Sequence, residues 1–446
     1  MPRYYTAHLR HAKHYANILR EADDLYLQGG ESLQRGLRLF ETEWANVNVG
    51  QKWIEALAVL DNTVAELSSD YVSAGTYLLD LRQHPRERIR WLQTALTSAR
   101  RLNDRAAESS HLGSLGSVYI DLGEVWQAID LYQQSLQIFL ELKDRNSEGT
   151  ALSSLGSAYS LLSETDQAIE YYERALLIRK EQGDRHGEGI ILNNLGIAYR
   201  GLSQTNRAAD LFNQALSIHQ LVGNRRGEGI ALINIGLIHE DIGETHQAIE
   251  YYGQALGLHR GIGDKRSEAA TLGNLGNAYD RLHDFDRALE IHWQALAIDR
   301  ELNDRRSEAT DLLNIGNAYY GQRELPKAIE YLEQSLVLKR EVEDWRGEGN
   351  VLGSLGLAYA DLGELERALE FHHQHLNIAR TIADRHGEAQ AVGNLGNVYK
   401  KMKDWQRATE LYGQALIIFR DIGDRWSEGA ALINLGNAYQ AQGEIP

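Results

Sequence analysis

Asparagine recurs at 40-residue steps along this chain, at Asn194, Asn234, Asn274, Asn314, Asn394 and Asn434, with Ser114, Ser154 and Ser354 in the same column. A second column, three residues on, holds Asn277, Asn317, Asn397 and Asn437. Eight residues before the first column stand His186, Arg226, Arg266, Arg306, Arg346, His386 and Trp426. A carboxamide donates and accepts at once, so a ladder of them can hold an extended polypeptide backbone whatever its side chains. Arginine beside the ladder supplies a planar, permanently charged fork for carboxylates. Arg200, Tyr320, Lys400 and Lys401 lie at the far end of the same segments and add local specificity. A structural alternative stands beside this one. The asparagines would then bond neighbouring helices, and the arginines would pair with acids of the next unit.

Other chemistry finds less support. His372, His373 and His375 invite a metal reading, but no carboxylate completes a ligand set at helical spacing. His372 and His375 fill the slots taken elsewhere by Tyr252 and Ala255, so a core or groove substitution is the expectation, with no metal. No nucleophile elbow, catalytic triad order or phosphate loop occurs, and the chain lacks even one Gly-Lys dipeptide. The expectation is a protein that is not an enzyme and needs no cofactor.

The elements that must position these columns follow from the period itself. The marker Asp or Asn followed by a basic residue or tryptophan stands at Asp104, Asp144, Asp184, Asn224, Asp264, Asp304, Asp344, Asp384 and Asp424, with no insertion between them. Glycine keeps the same step from Gly116 to Gly436. A fixed period of this size means stacked supersecondary units. Within one unit, Leu192, Leu195, Ala198 and Tyr199 mark one helical face, and Ala208, Leu211, Phe212, Ala215 and Leu216 mark another. Asp184 is placed to cap the first helix, and Glu188 lies in its first turn, where the helix dipole favours negative charge. Each unit is therefore a hairpin of helix A and helix B, each about 17–18 residues or about 26 Å long. Glycine at Gly116 and its equivalents, and alanine at Ala128 and its equivalents, let the two helices approach. Tyr119, Tyr159, Tyr199 and their equivalents are expected to fill the space beside them. The Asp184, Arg185, Glu188 set reads as capping plus an ion pair between repeats.

The pattern L-G-x-x-Y followed by A-x3-Y/F/H/L resembles the tetratricopeptide repeat, with leucine (Leu192) where that family has tryptophan in helix A. Forty residues and a D-R-x-G/S-E opening are similar to its longer-helix branch, which includes the LGN/Pins cell-polarity adaptors and kinesin light chains. ALEFHHQHLNIAR (368–380) is especially close to the LGN type. The resemblance implies an all-α, right-handed α-solenoid with A helices on the concave side, where a partner protein or peptide segment would lie.

Eight hairpins are expected over 104–423. Residues 424–446 form helix A of a ninth repeat without its helix B. Ile433, Leu435, Ala438 and Tyr439 would then be partly uncovered, so the chain reads as a piece of a longer protein, and self-association through this uncapped helix is expected. Residues 65–103 look like a degenerate repeat, with Arg88 in the alanine slot and Pro85 at the start of a helix B. Residues 1–64 form a helical adaptor, with helices expected near 3–28, 31–46 and 50–68. Its sequence, LRHAKHYANIL through GGESLQRGLRLFETEWANVNVGQKW, resembles the stretch joining nucleotide-binding module to repeats in bacterial STAND (NB-ARC–tetratricopeptide) regulators. That resemblance implies a second function, a ligand-sensing arm of an NTPase regulator whose catalytic module is absent.

Bulk properties narrow the field. The chain has 446 residues, no cysteine and four prolines, which excludes disulfides and fits a cytoplasmic protein. A net charge of −17 argues against nucleic acid as partner, since that needs a basic footprint. No apolar run is long enough for a membrane span. The function expected first is a scaffold holding an extended, acidic protein or peptide segment in its groove.

Overall fold

A computed structural model describes residues 2–28 and 30–443, and the side chains of all of these except 2, 30 and 31. Among the described residues every regular element is an α-helix. None is long and apolar enough to cross a membrane. The chain divides into two compact units, residues 1–234 and 235–446, with the division inside one helix.

The first unit opens with α1 (Pro2–Gln28), α2 (Gly30–Leu57), α3 (Asn62–Ala74), α4 (Thr76–Arg82) and α5 (Pro85–Leu102). Here the structure corrects the sequence reading. One continuous α2 runs through the break expected between 31–46 and 50–68, and the second of those expected helices is divided between α2 and α3. Gly50 lies inside α2, where a Cβ would run into the Tyr71 hydroxyl, so this glycine serves close packing of α2 on α3. The chain turns only at Asp61, whose side chain accepts from the Val64 amide and caps α3. Pro85 does start α5. Arg88 is buried there and bonds Asp80 at 3.0 Å. Trp91 sits fully buried between Trp44 and Tyr71, anchoring these helices around one core that also takes in Leu112 and Leu115.

Hairpins follow. The first unit holds α6 (Arg105–Asp121) with α7 (Val125–Leu142), α8 (Arg145–Leu161) with α9 (Thr165–Gln182), and α10 (Arg185–Gly201) with α11 (Thr205–Leu221). The division falls in α12 (Arg225–Asp241). In the second unit come α13 (Thr245–Ile262), α14 (Lys265–Arg281) with α15 (Phe285–Leu302), α16 (Arg305–Gly321) with α17 (Leu325–Glu341), α18 (Trp345–Leu362) with α19 (Leu365–Thr381), α20 (Arg385–Lys401) with α21 (Trp405–Asp421), and α22 (Arg425–Gln442). Each unit is a helical solenoid of such pairs. Even-numbered helices from α6 on are A helices, and odd-numbered ones from α7 on are B helices.

Three sequence features fix the hairpin. The repeating aspartate caps helix A. Asp184, for example, accepts from the Gly187 amide. The glutamate four residues later is buried and tied to the preceding hairpin. Glu268 takes Arg260 Nε from the end of α13 at 2.8 Å and Lys265 from its own first turn at 3.0 Å. Burial alone would raise this carboxyl, but those two bonds outweigh it and hold it below the ordinary value. The third feature is the glycine. A Cβ on Gly156 would lie 2.7 Å from the Tyr172 ring. Thus the side chain filling the space over the glycine comes from helix B (Tyr132, Tyr172, Phe212, Tyr252, His292, Leu332, His372, Tyr412) and not from the expected Tyr119 column. Tyr159, Tyr319 and Tyr359 stack instead on a ring of their own helix B, Tyr359 on Phe371 at 5.3 Å.

Helix α22 has no helix B among the described residues. Ile433 is 66% exposed and nothing lies within 4 Å of a Cβ on Gly436.

Candidate functional site

Successive A helices in the second unit enclose two cavities whose floors come from the B helix between them. The first, about 430 Å³, lies between α14 and α16 over α15. It brings together Arg266, Asn274, Asn277, Arg306 and Asn314, five of the residues singled out in the sequence. Small side chains at Ala270 and Gly273 on α14 leave the space open. The second, about 410 Å³, is lined by Asn394, Asn397 and Asn434 together with Trp426 and the buried His375. The 40-residue period produces this grouping, because equal offsets on parallel A helices fall side by side.

The remaining candidates lie apart from both cavities. Asn317 is exposed. In the first unit Asn234 is buried and donates to Asn193 Oδ1 at 3.5 Å, while Asn193 is itself within 3.3 Å of His219 Nε2. Asn234 thus bonds a neighbouring helix. Asn194, the residue next to Asn193, is half-buried, and Arg226 is exposed. Tyr320 donates to Asp361 Oδ2 at 2.7 Å. Arg323 and Lys401 meet the same carboxylate at 2.9 and 2.6 Å, so Tyr320 and Lys401 work between hairpins. Asn397 is not free either, since its Oδ1 accepts from Tyr412 at 2.8 Å.

The arginine column has a structure of its own. Three of its members reach forward to the aspartate that caps the next A helix. Arg266 bonds Asp304 at 3.0 Å and Arg346 approaches Asp384 at 3.5 Å. His386 does the same with Asp424 at 3.5 Å. Arg306 departs from this pattern. Its forward partner would be Asp344, whose Oδ2 is already held by Lys339 at 2.8 Å. Arg306 therefore keeps its guanidinium exposed at the mouth of the first cavity.

Two residues of that cavity escaped the sequence reading. Asp299 of α15 and Asp311 of α16 are 4% and 5% exposed and line its floor. The columns were the available signal. Positions equivalent to Asp299 hold Phe139, Arg179, His219, His259, Lys339, Ala379 and Phe419, and those equivalent to Asp311 are never acidic. The two carboxyl groups lie close enough to share a proton. Burial, then the neighbouring charge, pushes Asp311 well above the ordinary carboxylate range, and burial raises Asp299 as well. Of the histidine cluster, His372 is fully buried against Gly356, and burial followed by its histidine neighbours pushes it down to about 3. Among the described residues no three His, Asp or Glu side chains are arranged to hold a metal ion.

Comparison with known proteins places this geometry. The tetratricopeptide repeat matches residues 147–220, 228–301, 307–381 and 387–446, more than half of the chain. No curated protein matches it in sequence. Among solved structures it is similar to a STAND protein with a tetratricopeptide repeat sensor from Pyrococcus horikoshii, at 16% identity and TM-score 0.56, over 81% of this chain and 54% of that one. The apo form of the quorum sensor NprR from B. thuringiensis is similar at 14% identity and TM-score 0.55, over 76% and 99%. A Rap protein complexed with competence and sporulation factor is similar at 15% identity and TM-score 0.50, also over 76% and 99%. At such identities the likeness is one of fold.

Proposed function

Because the chain belongs to the tetratricopeptide-repeat family, we propose that it is a non-catalytic binding scaffold whose A-helix face takes an extended polypeptide segment. The observation that carries this reading is the cavity between α14 and α16, where Asn274 and Asn314 face one space from equal positions on neighbouring A helices. Carboxamides in that arrangement satisfy both the donor and the acceptor of a passing peptide unit. Asn394 and Asn434 repeat the arrangement in the second cavity. Arg306, which makes no direct ion pair and acts on Asp344 only through its charge, supplies the charged contact for an acidic side chain of the segment. Arg346, 73% exposed and only loosely set against Asp384, is the second such contact.

The test starts from peptides selected by display on the folded protein. Their affinities are then measured against Arg306→Glu/Arg346→Glu, with circular dichroism to confirm folding. Charge-assisted contacts are each worth about 1.5–3 kcal/mol, so the variant should bind at least tenfold more weakly. Equal affinity in a folded variant would move the binding surface off this face.

A regulatory sensor arm is the second reading. It is favoured by the fold likeness to the STAND protein, which extends over 81% of this chain and so reaches beyond the hairpins. Reading frame upstream of Met1 that encodes G-x-x-x-x-G-K-[ST] would select it over a free-standing scaffold.

A further inference from the structure

Two carboxyl groups buried side by side are a costly arrangement in a repeat whose sister positions hold neutral or basic side chains. Asp299 and Asp311 have no arginine or lysine in ion-pair distance among the described residues. Arg266 on α14 bonds Asp304 and reaches Asp299 only through its charge. Asp304 and Glu308 add negative charge beside the pair, and Glu308 already takes Arg300 and Arg305. Lys339, from α17, is engaged with Asp344 and with Thr310. No protein donor reaches Asp311 Oδ2. Within the pair, only a proton held on Asp311 and shared with Asp299 relieves the two carboxyls. Both carboxyls nevertheless open onto a cavity of about 430 Å³, wide enough for a side chain.

We propose that this cavity is a cation subsite, in which an alkylammonium or guanidinium group of the bound segment sits on Asp299 and Asp311. The proposal rests on the reading of the A-helix face as a peptide groove, and it names a residue class the groove selects, a lysine or arginine. A guanidinium presents planar pairs of donors, which suit the acceptors of two neighbouring carboxylates. Among the described residues no third His, Asp or Glu joins these two to form a metal-ligating group. Arg306 at the mouth complements the subsite, since it favours an acidic neighbour on the ligand beside the buried base. When the cation enters, the proton shared by the two carboxyls leaves to solvent and both become carboxylates. Binding is then stronger at higher pH, over the range in which the raised carboxyl still holds its proton in the free protein.

The experiment uses small probes first. Butylguanidinium and butylammonium are titrated calorimetrically into the full chain at pH 6, 7 and 8, with neutral butylurea as the isosteric control and buffers of different ionisation enthalpy. The expected result is binding of both cations at least tenfold tighter than butylurea, release of about one proton at pH 7, and affinity that rises with pH. Asp311→Asn should abolish the preference and the proton release. Asp299→Asn is the second variant should the first fail to fold. Acetylated, amidated octapeptides with a central arginine or citrulline between aspartates are then compared, with a free-amine version to separate a chain terminus from a side chain. If peptides bind but arginine and citrulline are equal and butylguanidinium does not bind, the cation subsite is overturned while the groove stands. If butylguanidinium binds and no peptide does, the subsite stands and the groove reading falls. If neither binds, both fall.

Discussion

Arg300 at the end of α15 donates through Nε to Glu308 in the first turn of α16, at 2.8 Å, and thereby locks one hairpin to the next. The glutamate is almost buried, whereas Arg300 and its companion Arg305 lie half in solvent. This inequality decides how the bond should be probed. Removing an exposed arginine leaves a carboxylate that water and the second arginine still serve. Removing the buried acceptor strands two guanidinium groups against the same surface. Glu308→Ala should therefore cost about 2 kcal/mol in urea unfolding, and Arg305→Ala well under 1 kcal/mol. Equal effects would show that the joint is held by apolar packing alone.

The glycine column makes a paired prediction. A methyl group on Gly156 meets the Tyr172 ring at 2.7 Å, and that ring is tethered by the bond of its hydroxyl to Ser157 at 3.0 Å. Gly156→Ala should destabilise the protein by about 1–3 kcal/mol. Gly436 occupies the same column with nothing within 4 Å of the added carbon. There the gain in helix propensity is unopposed, and Gly436→Ala should stabilise by up to about 1 kcal/mol. Denaturation midpoints of the two variants check this, and a change of the same sign in both would remove packing as the reason for the column.

Much of this was legible in the sequence, for a physical reason. Hairpin repeats bury the same positions every 40 residues, so Asp184 as cap, Glu188 as buried ion pair and the helix limits all recur in phase. Residues 30–57 have no sister copies to average over, and the role of Gly50, which packs on Tyr71, depends on a contact with another helix. The aromatic contacts were assigned to Tyr119 because spacing within helix A was visible, while the facing slot on helix B depends on tertiary geometry. Asp299 and Asp311 stand 12 residues apart on different helices. Nothing local links them, and only comparison down their columns marks them as unusual.

Acid should loosen the second unit through His372. Burial, with the charges of His375 and His373, lowers its folded value to about 3, against about 6.5 when unfolded. The sign follows from this depression. The stabilising neutral form is fully present above pH 6.5 and its contribution is lost as pH falls towards 3. The slope for one proton is at most about 1.4 kcal/mol per pH unit. His372→Phe, which copies Phe212 in the sister repeat, should flatten this dependence between pH 7 and pH 4.5. Melting temperatures with the same pH dependence in variant and parent would contradict the assignment.

Asp311 carries the opposite sign. Its folded value is raised by burial and by Asp299, so its favourable protonated form is complete below the ordinary carboxylate range and is lost as pH rises through the raised value. Asp311→Asn keeps a donor towards Asp299 and removes one charge. It should raise the melting temperature, and more so at pH 8 than at pH 5. A stability gain that does not grow with pH would show that the two carboxyls do not share a proton.

The central claim, a polypeptide segment lying along the A helices, is tested most directly by photo-crosslinking. A display-selected peptide carrying a diazirine residue is bound to the full chain, irradiated, and the attachment sites are read by mass spectrometry. The account predicts attachment on α14, α16 and α20, near Asn274, Asn314 and Asn394, and loss of the signal with excess unlabelled peptide. Competed attachment confined to the B helices, on residues such as Glu290 or Glu330, would contradict it.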